Sequence, residues 1–499
     1  MNKVSSGQSR LSSIRISKLF YCLLVVSAGI VFWLNGQAAP PYIICGMILV
    51  LPLALTPITH PYRFYILIMS VSLYFAYLLR PLVLLSNPDY YKYELIGTVS
   101  APEIIERLWG LVPLIASFVG GCLAFVLLIS PTVHPFVALE DKSGESGESM
   151  LFKGRNWILV FGWIVLLGNI SLALFFNIGV KNVEVSAPQL QAISRLLPQQ
   201  LMTAFAVAMF ALHRKKMDPF SLTIIVAFLM ATGFYELLIR GSKAGLAFIM
   251  FSFFVVHIVR FNDFQLRMRG VVALMGASVV CLLVAFSLSN VVRYGESDEG
   301  LINRASSAVT QYSGNVDIGK SVDDFTGRMC GFDGQLVVQQ HRPVKLRRAF
   351  QITTILRNSI ARVVPGMSPG SFTTGKAIAV HYQGAAEHAK FSGGVGLFGT
   401  FSLISFGKEW LGALLVGLTL GLIFRLLHFV RDPGIFIVLQ VIFFYCFIQL
   451  VISGGIGIVI AILFLSLVQC FALTSVLKLF GSGLGKRSTR SLSQTQHGY

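Results

Sequence analysis

Residues 393–406 read GGVGLFGTFSLISF, and whether they cross a membrane decides the topology of everything that follows. The stretch is apolar and glycine-rich, but its fourteen residues fall short of the roughly 17–25 that a spanning helix needs. It reads as a re-entrant or interfacial piece. If it crossed instead, the last three helices would reverse their direction.

The chain around it is 499 residues long, 55% hydrophobic and only 12% charged. Soluble domains carry roughly 25% charged residues. With a mean hydropathy of +0.73, the composition implies a polytopic integral membrane protein. A spanning helix takes about 20 apolar residues, which gives about twelve candidates. They lie near 19–35, 41–57, 63–79, 109–130, 157–177, 198–213, 219–239, 244–260, 270–290, 409–429, 434–452 and 456–478. The basic stretch ahead of the first (Lys3, Arg10, Arg15, Lys18) has the look of a signal peptide. The length of the apolar run and the span that follows at once favour an uncleaved first helix.

Short basic connections mark the cytoplasmic side. Here they are Arg214-Lys215-Lys216, Arg260 to Arg269, Arg425 to Arg431, and Lys486, Arg487 and Arg490. All fall on the side of the N-terminus if the span count holds, so both termini are expected in the cytoplasm. The resulting division is a cytoplasmic tail (1–18), nine spans (19–290), a large periplasmic or extracellular loop (291–408), three spans (409–480) and a disordered tail (481–499). Ser100-Ala-Pro-Glu103 has the form of a capping box, so a short helix is expected to start there and lead into Trp109. The net charge of +18 does not point to nucleic acid. About half of the Lys and Arg lie at helix ends, where they set topology.

Two clusters carry candidate chemistry. In the large loop, Arg342, Lys345, Arg347, Arg348, Arg357 and Arg362 interleave with apolar residues such as Ile355 and Ile360. An amphipathic helix resting on lipid headgroups accounts for this pattern. So does a set of guanidinium forks that grip phosphate oxygens. Farther on, His388 beside Glu387 is a candidate proton shuttle, with His381 an equal competitor. The second cluster, Glu236-Leu-Leu-Ile-Arg240-Gly-Ser-Lys243-Ala-Gly245, joins two apolar spans. Charges at such a depth are costly and point to function, although Arg240 and Lys243 can also snorkel to the interface. The acidic residues of the loop, Asp333 among them, show no metal-ligand spacing. No metal and no cofactor is implied.

The segment Arg240-Gly-Ser-Lys-Ala-Gly-Leu246 resembles the GSRG-type turn of Wzy-type O-antigen and exopolysaccharide polymerases. Leu356-Arg-Asn-Ser-Ile-Ala-Arg362, the late large loop, and the ending from Gly394 to Leu422 resemble theirs as well. One departure is Lys243, where arginine is common: the charge is kept and the bidentate fork is lost. The resemblance covers roughly residues 150–480. It implies an all-α, glycosyltransferase-C-like enzyme of the bacterial inner membrane that joins undecaprenyl-pyrophosphate-linked repeat units at the periplasmic face. A sugar hydroxyl would attack the anomeric carbon while the lipid pyrophosphate leaves. The resemblance also implies a chain-length regulator as a membrane partner. On this view His388, Glu387, Arg240 and Lys243 are the catalytic candidates. Arg293, Arg347, Arg348, Arg357, Arg362 and His381 are the candidates for carrier and substrate binding. The rivals are a flippase or other transporter for lipid-linked oligosaccharide and the related O-antigen ligase. A non-enzymatic membrane sensor has no need of a charged intramembrane turn.

Overall fold

A computed structural model describes the chain between residues 13 and 494. Outside the description lie 128–153, 179–189, 268–330, 342–349, 364–366, 368–373, 385–393 and some shorter stretches of one to three residues. The described part is helical apart from one antiparallel ribbon, β1 (Ser13–Arg15) paired with β2 (Gln265–Arg267).

Fifteen helices are used below. They are α1 (Ile16–Leu34), α2 (Ala39–Leu55), α3 (Arg63–Ser86), α4 (Ala101–Leu127), α5 (Arg155–Phe176), α6 (Gln199–His213), α7 (Pro219–Ile239) and α8 (Ala244–Phe261). After the undescribed stretch come α9 (Gly331–Gln340), α10 (Ile352–Val363), α11 (Thr374–Tyr382), α12 (Gly396–Ile404), α13 (Glu409–Leu427), α14 (Pro433–Ser453) and α15 (Ile456–Gln494).

Among the described residues eight helices are long and apolar enough to span a bilayer: α1, α3, α4, α5, α7, α13, α14 and the first part of α15. The shorter α2 and residues 245–260 of α8 are apolar too. The expected span at 270–290 lies outside the described residues. Large side chains such as Trp33, Phe175, Phe234, Leu415 and Phe471 are exposed on the outward faces. A water-soluble surface does not tolerate apolar area on this scale, whereas lipid does. The protein is a multi-pass helical membrane protein.

Local chemistry sets the helix starts. Asp218 accepts from Ser221 N at the head of α7, and Asp432 accepts from Gly434 N and Ile435 N at the head of α14. In both cases proline occupies the first helical turn, where its missing N–H costs nothing. Glu103 accepts from Ser100 N at 2.6 Å, as a capping box requires. The helix that it starts is not short. It runs unbroken from Ala101 to Leu127, because the polar first turns and the apolar run share one helical phase.

One face of the bundle gathers the basic connections. The ribbon ties the entry to α1 to the segment after α8. Arg260 Nη1 donates to Ala211 O at the end of α6. Arg63 Nη2 donates to Ser17 Oγ, and Arg425 lies 5.4 Å over the ring of Tyr62. His428, past the end of α13, packs edge-on against Tyr62 and Phe436. The heads of α1, α3 and α14 and the tails of α6, α8 and α13 therefore share this face.

The 393–406 stretch contains α12, nine residues long and so about 14 Å, against a hydrocarbon core of about 30 Å. It is buried along its length. It packs against α9, another short helix, which is buried from Gly331 to Val338. Backbones touch at this crossing. A Cβ on Gly334 would stand 2.3 Å from Val395 Cα, and one on Gly396 would stand 2.5 Å from Gly331 Cα. Gly396 also has φ +71°, a conformation that suits glycine. Tyr77 locks the crossing: its hydroxyl accepts from Phe398 N at 3.1 Å and donates to Val451 O at 3.2 Å. Irregular backbone is tolerated at membrane depth where protein surrounds it. Two segments of the expected 291–408 loop thus belong to the packed core.

Among the described long helices, the closest pairing joins α4 to α13. Gly417 meets Phe118 O, Gly421 meets Cys122 O, and a Cβ on Gly121 would stand 2.5 Å from Leu414 O. Contacts that advance together along both chains make the pair parallel. Small residues four apart let the backbones approach, the usual source of helix association in lipid.

Candidate functional site

Both α3 and α7 contain a π-helical turn, Tyr74–Leu78 and Tyr235–Ile239. Such turns are rare and collect at functional sites. Each is followed closely by an arginine, Arg80 and Arg240.

Arg80 is sealed. It donates from Nε to Asp333 Oδ1 at 3.0 Å and from Nη2 to Asp333 Oδ2 at 2.9 Å. A further bond runs to Tyr90 O. The two side chains are 1% and 0% exposed. Around them Gln340 Nε2 donates to Glu103 Oε1, Tyr91 donates to Gln340 Oε1, and Tyr93 donates to Gly394 O. This cluster holds α9 to α3 and α4.

Arg240 is more open. Its Nη1 donates to Glu236 Oε1 at 2.6 Å, with side chains 34% and 9% exposed. The π turn is closed by Arg240 N to Tyr235 O at 3.1 Å, and Ser242 N reaches back to Glu236 O at 2.7 Å. Gly245 on α8 makes room for this carboxylate, since a Cβ there would stand 2.2 Å from Glu236 Cγ. Glu236 neutralises the guanidinium, so the turn presents a hydrogen-bonding fork rather than a bare cation.

A seam of neutral polar groups continues from the turn. Tyr235 donates to Asn169 O at 3.3 Å, and Asn169 Nδ2 donates to Gln199 Oε1 at 3.1 Å. Gln199 Nε2 donates to Thr232 Oγ1 at 3.3 Å, and Ser194 Oγ donates to Asn169 Oδ1 at 3.4 Å. Gln200 Nε2 donates to Tyr445 Oη at 3.5 Å, and Tyr445 lies within electrostatic reach of Glu236 and Arg240. Four helices, α5, α6, α7 and α14, meet here.

The expected site residues fall in different places. Arg240 is at the turn just described. Arg357 is exposed on α10, and Arg362 is on the same helix. His381 is exposed at the end of α11, its ring 5.0 Å from that of Tyr382. Lys243, Arg293, Arg347, Arg348, Glu387 and His388 lie outside the described residues. Sequence reading missed Arg80, Asp333 and the seam. Arg80 carried a usable signal, a charge within the apolar run Leu78 to Leu85. Ending the predicted span at 79 placed it outside. Among the described residues no three His, Cys, Asp or Glu side chains come together as a metal site would need.

No known family profile matches the chain, and neither does any curated protein or solved structure.

Proposed function

We propose that the protein is a membrane glycosyltransferase that joins polyprenyl-pyrophosphate-linked oligosaccharide repeat units into a surface polysaccharide at the outer face of the bacterial inner membrane. The observation that carries this reading is the Glu236–Arg240 pair, held on a π turn at the end of α7 and continuous with a polar seam. Its arginine opens the segment, Arg240 to Leu246, that resembles the polymerase turn. A guanidinium so placed would hydrogen-bond a pyrophosphate leaving group and offset the charge that develops on it. Lys243, next along the turn, would supply the net positive charge that Glu236 removes from Arg240. His388, Glu387 and His381 remain the candidates for accepting the sugar hydroxyl proton. Arg293, Arg347, Arg348, Arg357 and Arg362 remain those for holding the carrier, and a chain-length regulator is the expected membrane partner.

A second reading is favoured by α9 and α12, two short buried helices whose first residues, Gly331 and Gly396, meet inside the bundle. Interrupted helices that meet at depth are common in transporters, which suits a flippase for the same lipid-linked glycans. Gel ladders of surface polysaccharide from a deletion strain separate the two. Single-repeat glycan that returns to long polymer on complementation supports the polymerase, and Arg240→Ala should then fail to restore it while still reaching the membrane. Loss of all periplasmic lipid-linked repeats supports the flippase. Full-length polymer from Arg240→Ala would remove the turn from the mechanism.

A further inference from the structure

The seam between α5, α6, α7 and α14 has features that helix-to-helix packing does not require. Several polar contacts elsewhere in the bundle are shorter. Ser27 and Tyr74 hydroxyls are 2.6 Å apart, Ser70 Oγ donates to Leu49 O at 2.8 Å, and Tyr93 Oη donates to Gly394 O at 2.7 Å. Others are not: Tyr77 Oη donates to Val451 O at 3.2 Å and Tyr91 Oη to Gln340 Oε1 at 3.4 Å. The seam bonds measure 3.1–3.5 Å, at or beyond the long end of the usual range. Ser194, Gln199, Gln200 and Tyr445 are partly exposed, while Asn169 and Thr232 are buried beneath them. The helix that supplies the glutamines also stops short. The fifteen residues of α6 extend about 22 Å, less than the roughly 30 Å of the hydrocarbon core. Its other end lies at the basic face, where Arg260 holds Ala211 O. The first turn, with Gln199 and Gln200, is therefore recessed from the opposite face.

Recessed amide and hydroxyl groups offer donors and acceptors together and carry no charge of their own. Phosphate would favour cations, and an acyl chain would favour apolar walls. A hydroxyl-rich ligand matches both donor and acceptor, and the partly exposed ring of Tyr445, backed edge-on at 4.8 Å by the buried Phe248, adds an apolar edge beside them. We propose that Asn169, Ser194, Gln199, Gln200, Thr232 and Tyr445 form a carbohydrate subsite that binds the sugar portion of the lipid-linked glycan beside the Glu236–Arg240 turn. This rests on the glycan-transferring reading above and assigns these residues to positioning and specificity.

The test uses the full-length protein in lipid nanodiscs. Its substrates are lipid-linked repeat units extracted from the deletion strain, and the oligosaccharide released from them by mild acid. Tyr445→Phe keeps the ring and removes one hydroxyl. Gln200→Leu keeps the volume and removes the amide. Each is expected to raise the KM for the lipid-linked unit and the Kd for the free oligosaccharide by about three- to tenfold, as loss of one neutral hydrogen bond does, with kcat unchanged. If both variants match the native protein in KM and Kd, the seam is packing only and the proposal falls. If the native protein turns nothing over but binds the oligosaccharide, with the variants weaker, the subsite stands and the polymerase reading falls. If the native protein neither binds nor reacts, both fall.

Discussion

Arg80 and Arg240 start from the same local device and end in opposite states. Each follows a π turn near the end of a membrane helix, and each is paired with a carboxylate. Asp333 comes from a helix far along the chain, meets Arg80 through two parallel bonds, and leaves neither side chain exposed. Glu236 comes from the same helix as Arg240, one turn back, and leaves the guanidinium a third exposed. A sealed pair between distant elements cannot part without breaking the fold, because each buried charge would be left alone. A pair within one helix can exchange partners while the helix stays intact, as a group that must meet a substrate needs to do.

The largest effect should come from opening the sealed pair. Asp333→Ala is expected to cost about 3–5 kcal/mol by leaving Arg80 uncompensated, seen as loss of the monodisperse peak in detergent. Arg80→Met combined with Asp333→Leu should recover most of it. A single variant as stable as the native protein would break the comparison. Next comes the crossing that brings Asp333 to Arg80: Gly334→Ala forces a methyl into Val395 backbone and should cost about 1–3 kcal/mol in thermal unfolding. The smallest effect on stability belongs to the open pair. Glu236→Gln keeps the side-chain volume and an amide oxygen that can still accept from Arg240, whose side chain is a third exposed, so Tm should move less than in either variant above while the glycan ladder collapses. A large fall in Tm would place Glu236 with Asp333 as part of the scaffold.

What could be read from the residues follows from the range of the forces involved. Apolar runs are local, so helices such as α1, α13 and α14 appear in the sequence close to where they stand. The glycine-rich 393–406 stretch is short in the sequence, and the helix described within it, α12, is nine residues long. The segment 331–340 was not legible, because GFDGQLVVQQ is too polar for a membrane signal, and its place in the core depends on Arg80, over two hundred residues earlier. At the candidate site, Arg240 stood out as a charge in an apolar setting. Asn169, Gln199, Thr232 and Tyr445 did not, because neutral polar residues on four separate helices form no spacing that a linear reading can detect.

The parallel union of α4 with α13 has a consequence for biosynthesis. Gly121 offers its groove on α4 early, yet Gly417 and Gly421 arrive about 300 residues later, roughly 15–60 s at ordinary elongation rates. Throughout that interval the groove lacks the helix that fills it in the finished fold. The nascent chain closes into its final shape only after the ribosome has nearly finished.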